Sequence, residues 1–136
     1  AGSLGAQLKT VEDIMLKGDK IPFVNEKLKM NKALKILSSK KLGILIVRNK
    51  KKSTIGIITD GEIRRYNQKN SNLHTITVQK LMTKNPIGIE RNALAAKALS
   101  LMNNKKITSL CVYDKKNKKK TIGVIHVHNI LETNIS

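Results

Sequence analysis

Two ten-residue stretches of the chain are nearly the same, and this internal repeat restricts the possible folds more than any other feature of the sequence. The first, GIITDGEIRR, covers residues 56–65, and the second, GVIHVHNILE, covers residues 123–132. The similarity extends upstream, because VEDIM (11–15) matches VQKLM (78–82), and ALKILSSKKLGILIV (33–47) matches ALSLMNNKKITSLCV (98–112). Such a repeat indicates a duplicated structural unit. A unit of about 60 residues buries little apolar surface alone, so we expect the two repeats to pack together.

The same series of elements is predicted in each repeat. Thr10 and Thr77 precede short helical turns, since threonine commonly caps a helix start. Apolar residues then recur at i, i+3, i+4 and i+7, which is the pattern of one helix face. These residues are Met30, Ala33, Leu34 and Leu37 in the first repeat, and Ala95, Ala98, Leu99 and Met102 in the second.

Extended segments surround each predicted helix. They are Ile21–Val24, Leu42–Arg48 and Ile55–Thr59 in the first repeat, and Pro86–Ile89, Ile107–Tyr113 and Ile122–Val127 in the second. Pro22 and Pro86 are expected at a sheet edge or a strand start, because proline donates no ladder hydrogen bond. A short closing helix is predicted over Gly61–Asn67 in one repeat and His128–Thr133 in the other.

The net charge of +18 suggests a nucleic-acid partner, but the residue types argue against one. Base stacking uses aromatic rings, and specific contacts to bases and phosphates favour arginine. The chain has 27 lysines and arginines, of which only Arg48, Arg64, Arg65 and Arg91 are arginines, and it has one Phe, two Tyr and no Trp. The densest basic runs, 50–52 and 115–120, lie between predicted strands, where solvated loops are expected.

Few residues suggest catalysis or metal binding. Asp60 and Glu62 lie in one turn without a recognisable catalytic partner set. His126 and His128 would share a strand face and could bind a metal, but no third ligand is evident, so we interpret them as pocket residues. The single cysteine, Cys111, has apolar neighbours and is predicted to be buried. No apolar run reaches the ~18 residues that a membrane span needs.

The repeated pattern of Gly, two hydrophobic residues, Thr, two residues and an acid or amide resembles a CBS (cystathionine-β-synthase-type) domain. The resemblance covers residues 11–133 and implies an α+β fold of two β-α-β-β-α repeats, packed pseudo-symmetrically as a CBS pair. It implies CBS repeats at 11–67 and 78–133, joined by a linker at 68–77.

The segments VEDIMLKGDKIPFV, VQKLMTKNPIGI and ALAAKALSLMNNKKIT are further similar to the C-terminal half of arabinose-5-phosphate isomerases. In that family a sugar isomerase (SIS) domain precedes the CBS pair and interconverts ribulose 5-phosphate and arabinose 5-phosphate for Kdo and lipopolysaccharide synthesis. The resemblance implies that residues 1–10 are the linker from a missing SIS domain. It also implies that this chain is a cytoplasmic regulatory fragment with no catalytic residue, cofactor or metal of its own.

A strand that runs into a helix directs free N–H groups towards an anion beyond the strand end. In CBS domains, the threonine there commonly contacts a phosphate, the acid one turn later binds a ribose, and apolar strand residues hold a base. The motif carries over Thr59 and Glu62 to the first site, and His126 and Asn129 to the second. With the segments expected to converge on it, the first site comprises Ile21, Pro22, Leu42, Gly43, Thr59, Glu62, Arg64 and Arg65. The second comprises Asn85, Pro86, Ile87, Lys106, Ile107, Thr108, Ser109, His126, His128 and Asn129. Pro86 is expected to follow Asn85 in an extended turn, and the second site is expected to bind better because Glu62 adds negative charge to the first.

Three functions remain open from the sequence. The first is a ligand-sensing module that binds a nucleotide or sugar nucleotide, either AMP- or ATP-like or CMP-Kdo-like, in a homodimer that partners the SIS domain. The second is a degenerate CBS pair that acts only in oligomerisation. The third is a basic nucleic-acid-binding module, which would bind in a salt-dependent manner.

Overall fold

The computed structural model describes residues 8–133, and these divide into two compact units. The central unit spans residues 22–86. The split unit joins the chain up to Ile21 with the chain from Ile87 onward. Most of the predicted linker at 1–10 lies outside the described residues.

The central unit contains a four-stranded sheet and the first β-α-β-β-α series. Its strands are β1 (Phe23–Asn25), β2 (Ile44–Arg48), β3 (Thr54–Thr59) and β4 (Thr83–Lys84), in that spatial order. Its helices are α2 (Met30–Lys40), α3 (Asp60–Lys69) and α4 (Val78–Leu81), with a 3-10 turn at Leu73–Thr75. β1 pairs parallel with β2, and the other pairs are antiparallel.

The split unit repeats this arrangement with a three-stranded sheet. Its strands are β5 (Gly88–Glu90), β6 (Ser109–Asp114) and β7 (Asn117–His126), and β5 pairs parallel with β6. Its helices are α1 (Val11–Ile14), α5 (Ala95–Lys105) and α6 (Val127–Leu131), with a 3-10 turn at Gly18–Lys20. Leu16 forms an antiparallel bridge with Val124, in the position that β4 takes beside β3.

The apolar stripes predicted for the long helices face the cores of their own units. Met30 and Ala33 are fully buried in the central unit. Ala95 and Ala98 are fully buried in the split unit, and Met102 is only 1% exposed there. Thr10 caps α1 by accepting a hydrogen bond from the Asp13 N–H, as its spacing predicted. The α+β fold and the order of elements are therefore confirmed. The packing of the two repeats against each other stays a prediction.

Each short helix α1 and α4 lies in the compact unit that is built mainly from the other repeat. Val11 N–H donates to the Ala93 carbonyl (2.8 Å), and Val78 N–H donates to the Leu28 carbonyl (2.8 Å). The Arg91 guanidinium forms ion pairs with Glu12 of α1 and with Asp114 of β6, and so fixes α1 to the rest of the split unit. The sequence repeats and the compact units are therefore two different divisions of the chain.

Two local predictions are wrong. Lys118–Lys120 lie within β7 instead of in a loop, although all three are exposed as expected. Asn85 has φ 54°, in the left-handed region, instead of the extended conformation expected before Pro86. Asparagine tolerates this region better than most residues, which reduces the cost of the departure. Cys111 is buried as predicted, and burial raises the pKa of its thiol to about 12.

Candidate functional site

The end of β3 holds the predicted pair Thr59 and Glu62. Thr59 is the N-cap of α3, and its backbone N–H donates to Glu62 Oε1 (2.6 Å). The Thr59 hydroxyl lies 2.7 Å from the same carboxylate oxygen, to which it donates. Because a carboxylate only accepts hydrogen bonds, the pairing commits the threonine proton to Glu62.

The second Glu62 oxygen is also occupied. Arg65 lies 2.6 Å from Glu62 Oε2 in an ion pair, and the Thr83 hydroxyl donates to the same oxygen at 3.1 Å. Burial tends to raise the pKa of this carboxyl, but the hydrogen bonds from Thr59 and Thr83 and the Arg65 charge outweigh it, so the pKa of Glu62 is lowered overall. The Glu62 side chain is only 11% exposed. A ligand diol would have to compete with four donors for this carboxylate.

The end of β7 carries the corresponding residues of the second repeat with a different pattern of bonds. His126 N–H donates to Asn129 Oδ1 (2.8 Å), and His128 N–H donates to His126 Nδ1 (3.1 Å). The first bond fixes the Asn129 amide with its oxygen towards the backbone and its nitrogen away from it. Among the described residues, Asn129 Nδ2 and His126 Nε2 donate to no acceptor.

The His126 ring is held in one tautomer. Burial, and then the neighbouring His128 ring, lower the pKa of His126 below its ordinary value, so the ring is neutral at neutral pH. Since Nδ1 accepts the His128 N–H, the proton of the neutral ring is on Nε2. This strand end therefore offers two uncommitted side-chain donors, whereas at the other end the Thr59 hydroxyl proton and both Glu62 oxygens are already used.

The strand register brings some other predicted residues to these two ends. In the split unit, Ser109 pairs with His126, and Val127 N–H donates to the Thr108 carbonyl (2.8 Å). In the central unit, Ile44 pairs with Thr59, which places Leu42 and Gly43 directly before that pair in the chain.

The remaining predicted residues are divided between the units. Ile21, Ile87, Lys106, Ile107 and His128 belong to the split unit, and Pro22, Arg64, Asn85 and Pro86 belong to the central unit. Lys106 ends α5 in a left-handed conformation with φ 57°.

Two surface depressions involve residues that the sequence did not single out. One of about 400 Å³ in the split unit includes the predicted residue Asn129, and its other lining residues are Lys9, Asp13, Ile14, Leu16, Glu132 and Thr133. The other, of about 650 Å³, lies in the central unit and contains none of the predicted site residues. Within residues 8–133, no cluster of three or more His, Cys, Asp or Glu could hold a metal ion. No helix in that range is long and apolar enough to cross a membrane.

The CBS domain family model matches the chain twice, over residues 11–69 and 78–135. The chain therefore belongs to the CBS domain family and carries two CBS domains in tandem. Among curated proteins, it is 38% identical over 135 residues to an uncharacterised protein of Rickettsia prowazekii, covering 99% of this chain and 41% of that protein. It is 33% identical over 135 residues to the arabinose 5-phosphate isomerase KdsD of Salmonella typhi, covering 98% of this chain and 40% of that protein. The chain thus spans about two fifths of the length of these relatives.

Solved structures with the same fold have low sequence identity to this chain. A CBS-domain protein of Agrobacterium tumefaciens superposes with a TM-score of 0.82 at 16% identity, covering 98% of both chains. CBSX2, solved in complex with AMP, superposes with a TM-score of 0.76 at 22% sequence identity, covering 93% of this chain and 96% of that one. The CBS pair of protein MJ0100 was solved with 5′-methylthioadenosine and S-adenosyl-L-methionine. It superposes with a TM-score of 0.76 at 21% sequence identity, covering 92% of this chain and 94% of that one.

Proposed function

We propose that this CBS pair is the ligand-sensing regulatory module of an arabinose 5-phosphate isomerase, and that it binds a nucleotide or sugar nucleotide. Support for the parent enzyme comes from the similarity to KdsD along nearly the whole chain. Isomerisation itself is assigned to the part of those relatives that this chain does not span. Two proteins of the same fold were solved, one with AMP and the other with adenosine derivatives, which supports the ligand class. We further propose that the module acts in the cytoplasm, as a homodimer beside an SIS domain.

The observation that carries the proposal is the difference between the two strand ends. At the His126 end, Asn129 Nδ2 and His126 Nε2 are uncommitted donors, and phosphate, ribose and base groups all offer acceptors. At the Thr59 end, Glu62 is occupied by Thr59, Arg65 and Thr83. We therefore assign the stronger site to the second repeat, beside His126 and Asn129.

The test is a calorimetric titration of the chain with AMP, ATP, CMP and CMP-Kdo. His126→Ala is expected to weaken binding about tenfold, the loss of roughly one hydrogen bond to a charged or buried group. Asn129→Asp retains the oxygen that accepts the His126 N–H but removes the Nδ2 donor, so it separates ligand binding from helix capping. It is expected to weaken binding as much as His126→Ala does.

Glu62→Ala is the matched variant in the first repeat and is expected to change ligand affinity less than twofold, although it removes a helix cap. A larger loss with Glu62→Ala than with His126→Ala would move the site to the first repeat. No heat with any ligand would favour a module that acts only in oligomerisation.

A further inference from the structure

The larger depression in the central unit is a second concave surface on which the proposed function does not depend. It lies between α2 and the 3-10 turn Leu73–Thr75 and has a volume of about 650 Å³, within the usual range for small-molecule sites. We call it the α2 groove. It is lined by Asn31, Leu34, Lys35, Ser38, Ser39 and His74, and it shares no residue with either strand-end site.

The α2 groove is rich in hydrogen-bond donors that the protein itself does not use. The Lys35 ammonium, the Asn31 amide, the Ser38 hydroxyl and the His74 imidazole make no hydrogen bond or ion pair with any other residue of the described chain. The Ser39 hydroxyl differs, because it donates to the Ile36 carbonyl at 3.1 Å. Leu34 is half-buried and supplies an apolar surface between these polar groups.

The charge around the groove favours an anion. None of the lining residues is a carboxylate. The central unit contains fifteen lysines and arginines against three carboxylates, which are Glu26, Asp60 and Glu62. Glu62 is already paired with Arg65, so it does little to offset the charge of Lys35. An uncompensated cation in a concave basic surface attracts anionic ligands over distances of about a Debye length.

We propose that the α2 groove binds a small organic anion, a phosphate monoester or a carboxylate whose apolar body packs on Leu34. Lys35 supplies the charge, and Asn31, Ser38 and His74 donate hydrogen bonds to the anionic oxygens. The volume fits a small molecule, and no Phe, Tyr or Trp side chain lines the groove to stack on a nucleic-acid base.

Phenyl phosphate is a suitable probe, because it combines the two groups that the groove would recognise. Titrated into the full chain and followed by two-dimensional NMR, it is expected to shift the amide signals of α2 and of Leu73–Thr75. Phenol has only the apolar ring and inorganic phosphate has only the anionic group, so each is expected to bind at least about tenfold more weakly. Equal binding of phenol and phenyl phosphate would overturn the assignment of an anion site, and so would the absence of any shift in α2.

Lys35→Gln and Lys32→Gln form a matched pair of variants. Both lysines are exposed on α2, but only Lys35 lines the groove. Lys35→Gln is expected to weaken phenyl phosphate binding about tenfold, the loss of one charge-assisted contact, while Lys32→Gln changes it less than twofold. Equal losses in both would show attraction to the overall charge of the helix and would overturn the proposal. His126→Ala is expected to leave this binding unchanged, so the α2 groove and the proposed nucleotide site are tested separately.

Discussion

Gly56 and Gly123 are required where a neighbouring segment approaches the sheet too closely for a side chain. A Cβ at Gly56 would lie 2.7 Å from Met82 Sδ and 2.8 Å from the Thr83 carbonyl oxygen. A Cβ at Gly123 would collide with the Met15 side chain and lie 3.0 Å from the Leu16 carbonyl oxygen. The Leu16 backbone cannot move away easily, because it exchanges two hydrogen bonds with Val124 (2.8 and 3.0 Å).

Gly56→Ala and Gly123→Ala are therefore expected to lower the free energy of unfolding by about 1–3 kcal/mol each, the usual cost of overpacking. Urea denaturation followed by circular dichroism measures this loss. Gly61→Ala is the control, since its nearest neighbour is the flexible end of Arg65 at 3.2 Å and its site is helical. It is expected to be neutral or stabilising by up to about 1 kcal/mol. If Gly56→Ala were as stable as the unmodified chain, the close packing of Met82 and Thr83 against β3 would be contradicted.

Single residues also show which contacts could not be predicted from the sequence. The motif predicted that Thr59 and Glu62 would occupy equivalent positions to His126 and Asn129, and both pairs lie at strand ends with reciprocal caps. It could not predict that Glu62 would be fully occupied, because Thr83 is 21 residues away and reaches Glu62 only through the pairing of β4 with β3. Such a long-range contact leaves no local signal in the sequence.

At the scale of elements, the periodic segments were predicted best. The two apolar stripes predicted α2 and α5, because a helix that packs on a core must repeat its apolar residues with the helical period. β4 was missed, because a two-residue strand with two exposed side chains has no periodicity. The beginning of β7 was missed for a related reason, since a run of lysines reads as a loop.

The β6–β7 hairpin tolerates these lysines through an irregular register. Tyr113 pairs with Thr121 and Asp114 pairs with Asn117, so Lys118–Lys120 have no partners in the ladder. All three side chains are exposed, and none of them forms a salt bridge within residues 8–133. Like charges concentrated in one bulge repel each other and do not contribute to the core.

Replacing Lys118, Lys119 and Lys120 together by Gln is therefore expected to preserve the fold and raise the melting temperature slightly at low salt. The gain in unfolding free energy should be at most about 0.5 kcal/mol, and it should decrease with added salt, because salt already screens the repulsion of these three lysines in the unmodified chain. Thermal unfolding at low and high salt measures both effects. A loss of stability at both salt concentrations would contradict this reading, because it would require the lysines to make stabilising contacts.

At the scale of the whole molecule, the duplication predicted two similar units but not their composition. The split unit takes α1 from the first repeat, and the central unit takes α4 and β4 from the second. Sequence comparison aligns α1 with α4 in matching positions, so it cannot reveal which core each helix enters. That choice depends on contacts such as Gln79 N–H to the Glu26 carbonyl (3.0 Å), which join residues far apart in the chain.

Two fragments of equal length test whether the compact unit or the sequence repeat is the part of the chain that folds on its own. Residues 22–86 keep the whole central unit, including Ile76, Val78 and Leu81, which are at most 8% exposed in its core. Residues 11–75 contain the first sequence repeat (11–67) and most of the linker, and they lack those three side chains, as well as β4. Burial of each is worth roughly 1.5–3 kcal/mol, and their sum is comparable with the roughly 5–15 kcal/mol that stabilises a whole domain. We therefore expect fragment 22–86 to show native helix content and a cooperative urea transition, and fragment 11–75 to be unfolded by circular dichroism. If fragment 11–75 were the more stable of the two, α4 would not be an integral part of the central core.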